Sequence, residues 1–275
     1  MVGLVVLILS SLAILDYNPF RGSSFTPYAG DQGIAPFQET LNHVHERGGF
    51  AFWNYPEQRS GVRKHGPVNV STLPYPEVLY ESKNYAGFAA IYGDRITVTD
   101  PGKHWDRILT EYCEGKREKP AWGISTADFH EDGRLGLKLG AFPTTFLVRE
   151  FSKPAILDAL RQGRMYCSRG DGKTWPQLDY FNVLGPNGEK ADMGETLTTA
   201  GLPLIKFRVS YKGDKKVPVK IHIVRGGTPS FPNCQRRNSP GIRTPGRGGS
   251  RWTDDLLPSC GHPKASRFKP YLCEI

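Results

Sequence analysis

Asp128 and His130 stand two residues apart in the run AWGISTADFHEDG. Where the backbone is extended, residues i and i+2 point to the same face. Residues 121–126 read as a buried strand, so a carboxylate and an imidazole at its end can close on one divalent metal ion. In β/α folds the C-terminal ends of strands are where chemistry is done. The ordinary alternative is an aspartate that turns or caps the chain at the strand end.

Other ligand-type residues are weaker. His43 and His45 have H-x-H spacing, but they lie in the helical run ETLNHVHERGG. At about 100° per residue their side chains diverge by roughly 200°, so they cannot share a metal and read as solvated. Glu57, His65 and His104 are candidate local substitutes, each read first as solvated surface. Asp106 follows Trp105 and is expected to cap or to pair with an arginine, and Trp105 to lie in the core. Of five cysteines, none forms C-x-x-C, and the number is odd. Neither a disulfide framework nor a zinc knuckle is expected. Cys113 and Cys167 fall in apolar settings and read as core residues.

The elements that must position the pair alternate along the chain. Residues 5–9 read as a buried strand followed by a turn. The apolar run VGLVVLILSSLAIL around them is too short to span a bilayer and lacks the basic start of a signal peptide, the other reading open to it. A helix is expected over 36–46, with Phe37, Leu41 and Val44 on one face, stopping at Gly48-Gly49. A short strand over 50–53, a long polar loop and an apolar strand over 85–92 follow. Trp105, Ile108, Leu109, Tyr112 and Cys113 have the i, i+3, i+4, i+7, i+8 spacing of an amphipathic helix. Residues 144–148 read as a strand. Ser152 can cap a helix with Pro154 in its first turn, Ile156, Ala159 and Leu160 inward, and Gly163 as its stop. A strand at 165–167 closes the series. Such alternation implies an α/β fold with a mostly parallel sheet or a β/α barrel.

The pattern changes near Lys173. Ile205, Phe207 and Val209 alternate with Lys206, Arg208 and Ser210, and Val219, Ile221 and Ile223 alternate likewise. That is the signature of antiparallel strands with one wet face. Three segments are expected: an α/β unit over 1–173, a partial antiparallel β-sandwich over 174–227, and a disordered, basic Pro/Gly-rich tail over 228–275. The tail lacks periodicity, and loss of the reading frame near Gly226-Gly227 would account for it.

Composition narrows the function classes. At 275 residues and 38% hydrophobic, the chain can build a real core. Its net charge is +9, of which residues 228–275 contribute +5. The body has no basic stripe interleaved with aromatics, so no nucleic-acid partner is expected.

The stretch PGKHWDRILTEYCEGKREKPAWGISTADFH, followed by TTFLVREFSKPAILDALRQGRMYCS, resembles the later half of a PHP (polymerase and histidinol phosphatase) domain. It is most similar to the stand-alone metallohydrolases related to carbaryl hydrolase. A helix starting W-D, a strand ending D-x-H, a further strand and a helix ending A-L-R-x-G-R occur in the family's order. The resemblance covers roughly residues 33–224. It implies a distorted β/α barrel followed by a β-sandwich. It also implies two or three divalent metals, commonly zinc, manganese or iron, whose bound water attacks a phosphoester or a related ester or carbamate bond. Asp128 and His130 match the family's last metal-binding pair.

Departures accompany the likeness. The family's opening H-x-H and D-H motifs do not occur ahead of the apolar start, which implies that the N-terminal part of the barrel is missing. Where a glutamate ligand is expected, near residue 10, the chain has Leu12, Ala13 and Asp16, and Asp16 is not counted as a match. The family's His-Pro turn stands here as Tyr55-Pro56, and a tyrosine is a poor zinc ligand at neutral pH because its ordinary pKa is about 10. The implied activity is hydrolysis of a small-molecule ester, impaired in this chain, with the metal retained or lost. A non-catalytic binding protein descended from such a hydrolase is the alternative. No membrane span is expected, and the compartment, cytoplasmic or exported, is open.

Overall fold

The computed structural model describes residues 2–16, 24–25, 30–57, 61–72, 74–93, 96–132 and 138–212, and five short strands between 223 and 268. Its first element corrects the sequence reading. α1 (Val2–Asp16) is a helix, not a strand. A strand needs a neighbour to take its backbone hydrogen bonds, whereas a helix closes them within itself. The run has no proline and no glycine after Gly3, so nothing breaks the helix. Its apolar side chains face solvent, Leu4 at 67% and Leu9 at 60% exposure, so the expected burial is corrected too. No described helix is long and apolar enough to cross a membrane.

α2 (Ala35–Glu46) has proline in its first turn and buries Leu41. It ends where Gly48 takes a φ of +71°. β1 (Phe52–Trp53) follows. Part of the expected polar loop is a hairpin of β2 (Gly61–His65) and β3 (Val68–Thr72) around Gly66-Pro67. Two-residue turns with positive φ at glycine suit tight hairpins, and Gly66 has φ +60°. α3 (Val78–Glu81), β4 (Gly87–Ile91), α4 (His104–Cys113) and β5 (Trp122–Ser125) complete the first unit.

The three strands form one parallel sheet in the order β1-β4-β5. All five residues of β4 are buried, as expected for a central parallel strand covered on both faces. Phe88 is fully buried, with its ring edge-on to Trp105 at 5.6 Å between centroids. The Trp105 indole N–H donates to the Ala121 carbonyl at 2.9 Å, so Trp105 is a core residue as expected. The α4 stripe is narrower than the spacing implied. Trp105, Ile108 and Leu109 are buried, but Cys113 is exposed. A ten-residue helix meets its neighbours along its middle, and the stripe's last position runs past that contact.

β6 (Thr144–Phe146) and β7 (Met165–Cys167) pair antiparallel on either side of α5 (Lys153–Gln162) in the chain. The Ser152 hydroxyl accepts from the Ala155 N–H, and Gly163 ends α5 at φ +72°. A side chain on Gly163 would meet the Trp122 indole at 2.6 Å, so its lack of a Cβ serves both the left-handed cap and a close approach. The Thr144 hydroxyl accepts from the Ser125 N–H at 2.9 Å and ties β6 to the end of β5.

The second core belongs to β8 (Trp175–Leu184), β9 (Lys190–Asp192), β10 (Leu197–Thr199) and β11 (Leu204–Lys212). β8 pairs antiparallel with β11 and β9. Ile205, Phe207 and Val209 are buried, and Lys206, Arg208 and Ser210 are partly exposed. This is the alternation read from the sequence. It packs Phe181, Val183 and Phe207 into a cluster separate from that around Phe88. Beyond residue 212 the described segments are β12 (Ile223–Arg225), β13 (Thr228–Ser230), β14 (Gln235–Arg236), β15 (Trp252–Asp255) and β16 (Ser266–Phe268). β15 pairs with β11 and β16 with β10, both antiparallel. Val219, Ile221, Cys234, Cys260, Cys273 and most of the tail lie outside the described residues. The fold is mixed α/β, and among the described residues the strands form small open sheets rather than a closed barrel.

Candidate functional site at the carboxyl edge of the parallel sheet

Parallel strands that are buried along their length leave their ends as the places for polar groups. At the carboxyl edge of β1-β4-β5 the chain leaves β1 through Asn54 and Tyr55, β4 through Tyr92, and β5 through residues 126–130. Tyr55 has φ +48° and Asp128 has φ +49°. Left-handed backbone is uncommon outside glycine, tolerable for aspartate and costly for a bulky ring. Two of the three described non-glycine residues with positive φ therefore meet at one sheet edge. Such outliers persist where the surroundings hold them, and functional sites are a common place for that.

The Tyr55 hydroxyl and the Thr126 hydroxyl are hydrogen-bonded at 2.6 Å. This contact spans β4, since β1 and β5 flank it. The Tyr55 ring meets Tyr92 edge-on, 4.7 Å between centroids. Burial pushes the Tyr55 phenol above its usual pKa; the bond to Thr126 opposes the rise, and the nearby Asp128 charge adds to it. Tyr55 is therefore a neutral hydrogen-bonding group. The Thr126 N–H donates to the Ile91 carbonyl at 2.9 Å.

β5 ends at Ser125, three residues before Asp128. The i, i+2 geometry that motivated the pair therefore does not apply as read, because the strand has ended and Asp128 is left-handed. Both Asp128 and His130 are exposed. The His130 Nδ1 lies 2.6 Å from the Asp128 carbonyl oxygen, which can only accept. Nδ1 thus carries the proton, leaving Nε2 as the free lone pair.

The remaining candidates are engaged elsewhere. The Glu57 carboxylate accepts from the Thr97 N–H (2.6 Å), the Thr97 hydroxyl (2.6 Å) and the Val98 N–H (2.9 Å). It pins a loop rather than facing solvent as expected. His104 stacks on Tyr80 at 4.8 Å between centroids. His43 pairs with Arg47 and His45 with Lys119, on different contacts, as their helical spacing required. The side chains of His65 and Asp16 lie outside the described residues. Asp106 accepts from the Gly102 N–H at 2.7 Å and acts as a cap, with burial raising its pKa. The Cys167 thiol donates to the Gly123 carbonyl at 3.2 Å, and burial pushes its pKa up to about 11, so it is a protonated core group and not a thiolate ligand.

Among the described residues, no three His, Cys, Asp or Glu side chains gather in metal-binding geometry. Asp128 and His130 fit a divalent ion as two of its ligands, through a carboxylate and Nε2. Sequence reasoning missed Thr126 and Tyr92. Neither carries a motif signal, and the bond joining residues 55 and 126 spans 71 positions. Compared with known proteins, the chain matches no family model, no curated protein and no solved structure.

Proposed function

We propose that this chain is a metal-dependent hydrolase of the PHP type, acting on a phosphoester or related ester bond, with its activity impaired. The reading takes the α/β unit as part of a distorted β/α barrel and the antiparallel strands as part of a β-sandwich. The observation that carries it is the gathering of Tyr55, Thr126 and Asp128 at the carboxyl edge of a parallel sheet. The order of the W-D helix, the D-x-H segment and the A-L-R-x-G-R helix supports it.

A zinc, manganese or iron ion would be held by Asp128 and His130. When bound, such an ion lowers the pKa of its water and offsets charge on the attacked group. Catalytic zinc normally has three protein ligands, and a neutral Tyr55 does not supply the third. That shortfall is the physical reason for impairment. Tyr55 also favours a second reading, a non-catalytic descendant that keeps the surface for binding carbohydrate, protein or envelope material.

Metal content of the purified full chain decides between these readings. After loading with Mn²⁺ or Zn²⁺ and dialysis, retained metal is expected, with affinity lowered at least ~10-fold in Asp128→Ala and in His130→Ala. Slow turnover of bis(p-nitrophenyl) phosphate supports the hydrolase, and retained metal without turnover supports the binding descendant. No retained metal in wild type, and no difference on Asp128→Ala, sinks the metal reading.

A further inference from the structure

We infer that Tyr55 is the positioning residue for the Asp128–His130 pair, acting through its hydroxyl bond to Thr126. The inference rests on the metal-binding reading above and adds a residue whose side chain need not touch the metal.

The geometry runs in one direction. Residues 126–130 have no ladder to hold them, because β5 ends at Ser125. Thr126 is the last residue of that segment tied to the sheet, by its N–H to Ile91 and by its hydroxyl to Tyr55. Two residues on, Asp128 turns left-handed, and its carbonyl oxygen receives the His130 Nδ1 proton. The directions of the carboxylate and of Nε2 therefore follow from how Thr126 is held.

Tyr55 is itself built for this contact. Its φ of +48° would suit glycine or asparagine without strain. What the tyrosine adds is a ring seated on Tyr92 and a hydroxyl that reaches across β4. A ring alone would pack as well. The hydroxyl is the part that links the ends of the two outer strands.

Co²⁺ is the probe, because its visible absorption reports coordination geometry as well as occupancy. Titration of the full chain compares wild type, Tyr55→Phe, Thr126→Val, the double variant and Thr126→Ser. Each single variant removes one hydroxyl from a single shared bond, so each should weaken Co²⁺ binding by roughly fivefold and alter the absorption band. The double variant should be no weaker than either single one, because both remove the same bond. Thr126→Ser keeps the hydroxyl and should behave as wild type, which covers the case in which Tyr55→Phe does not fold.

Wild-type affinity and an unchanged band in Tyr55→Phe and Thr126→Val would overturn the inference alone. So would losses that add in the double variant. Absence of Co²⁺ binding by wild type overturns the metal reading and this inference together.

Discussion

The two sheets of this chain use burial differently. In the parallel sheet every residue of β4 is buried, so polar groups are excluded from the strand and gather where it ends. In the antiparallel sheet β8 and β11 bury alternate residues, and polar side chains run along the whole wet face. Asp179 there accepts from the Ser210 hydroxyl at 2.8 Å and pairs with the Arg208 Nε at 3.2 Å. These contacts are spread along a surface and converge on nothing. At the parallel edge, Tyr55, Thr126 and Asp128 converge because three strand ends lie side by side. The contrast teaches that a two-sided core concentrates chemistry at its rim, whereas a one-sided core distributes it.

Breaking the two-sided core should have the largest effect. Phe88 is fully buried beside Trp105 on the central strand. Phe88→Ala should cost about 3–5 kcal/mol of stability, from lost transfer free energy and the cavity left behind. Denaturant unfolding followed by tryptophan fluorescence measures this, since Trp53, Trp105 and Trp122 belong to this unit and Trp175 to the other. A loss under about 1 kcal/mol would mean that β4 is not the packed centre described.

A mid-sized effect is expected at the junction of β5 and α5. Gly163→Ala places a methyl 2.6 Å from the Trp122 indole at a φ of +72°. The variant should lose about 1–3 kcal/mol, from backbone strain together with overpacking. An unchanged midpoint in the same unfolding experiment would show that the helix end and Trp122 are not in contact.

The smallest effect should be on the wet face. Asp179→Ala removes a partly exposed ion pair and one hydroxyl bond, and should cost no more than about 1 kcal/mol. A larger loss would mean that the wet face is not open to solvent, and the contrast between the two sheets would weaken accordingly.

Much of the fold was legible residue by residue. The Ser152 cap, the Gly163 stop, the α4 helix and the β11 alternation each rest on local chemistry that a sequence displays directly. Asp128 and His130 were legible as ligand types, but their geometry was not. Reading them as strand residues required β5 to extend to 130, and it stops at Ser125. Asp128 tolerates left-handed backbone, so a turn there was open from its residue type alone. The positive φ at Tyr55 had no such sign. Cys113 was misread for a related reason, since periodicity states which face a residue is on but not how far along the helix the neighbour reaches.

What the sequence determined by itself was periodicity, caps and stops: the amphipathic helices, the alternating strands and the change of pattern near Lys173. These follow from interactions within a few residues. Tertiary structure decided the rest. It left the apolar start a self-bonded helix in the absence of a neighbouring strand, exposed the last position of α4, and carried Tyr55 across a buried strand to meet Thr126. Each outcome depends on which distant segment lies alongside, and local pattern carries no record of that.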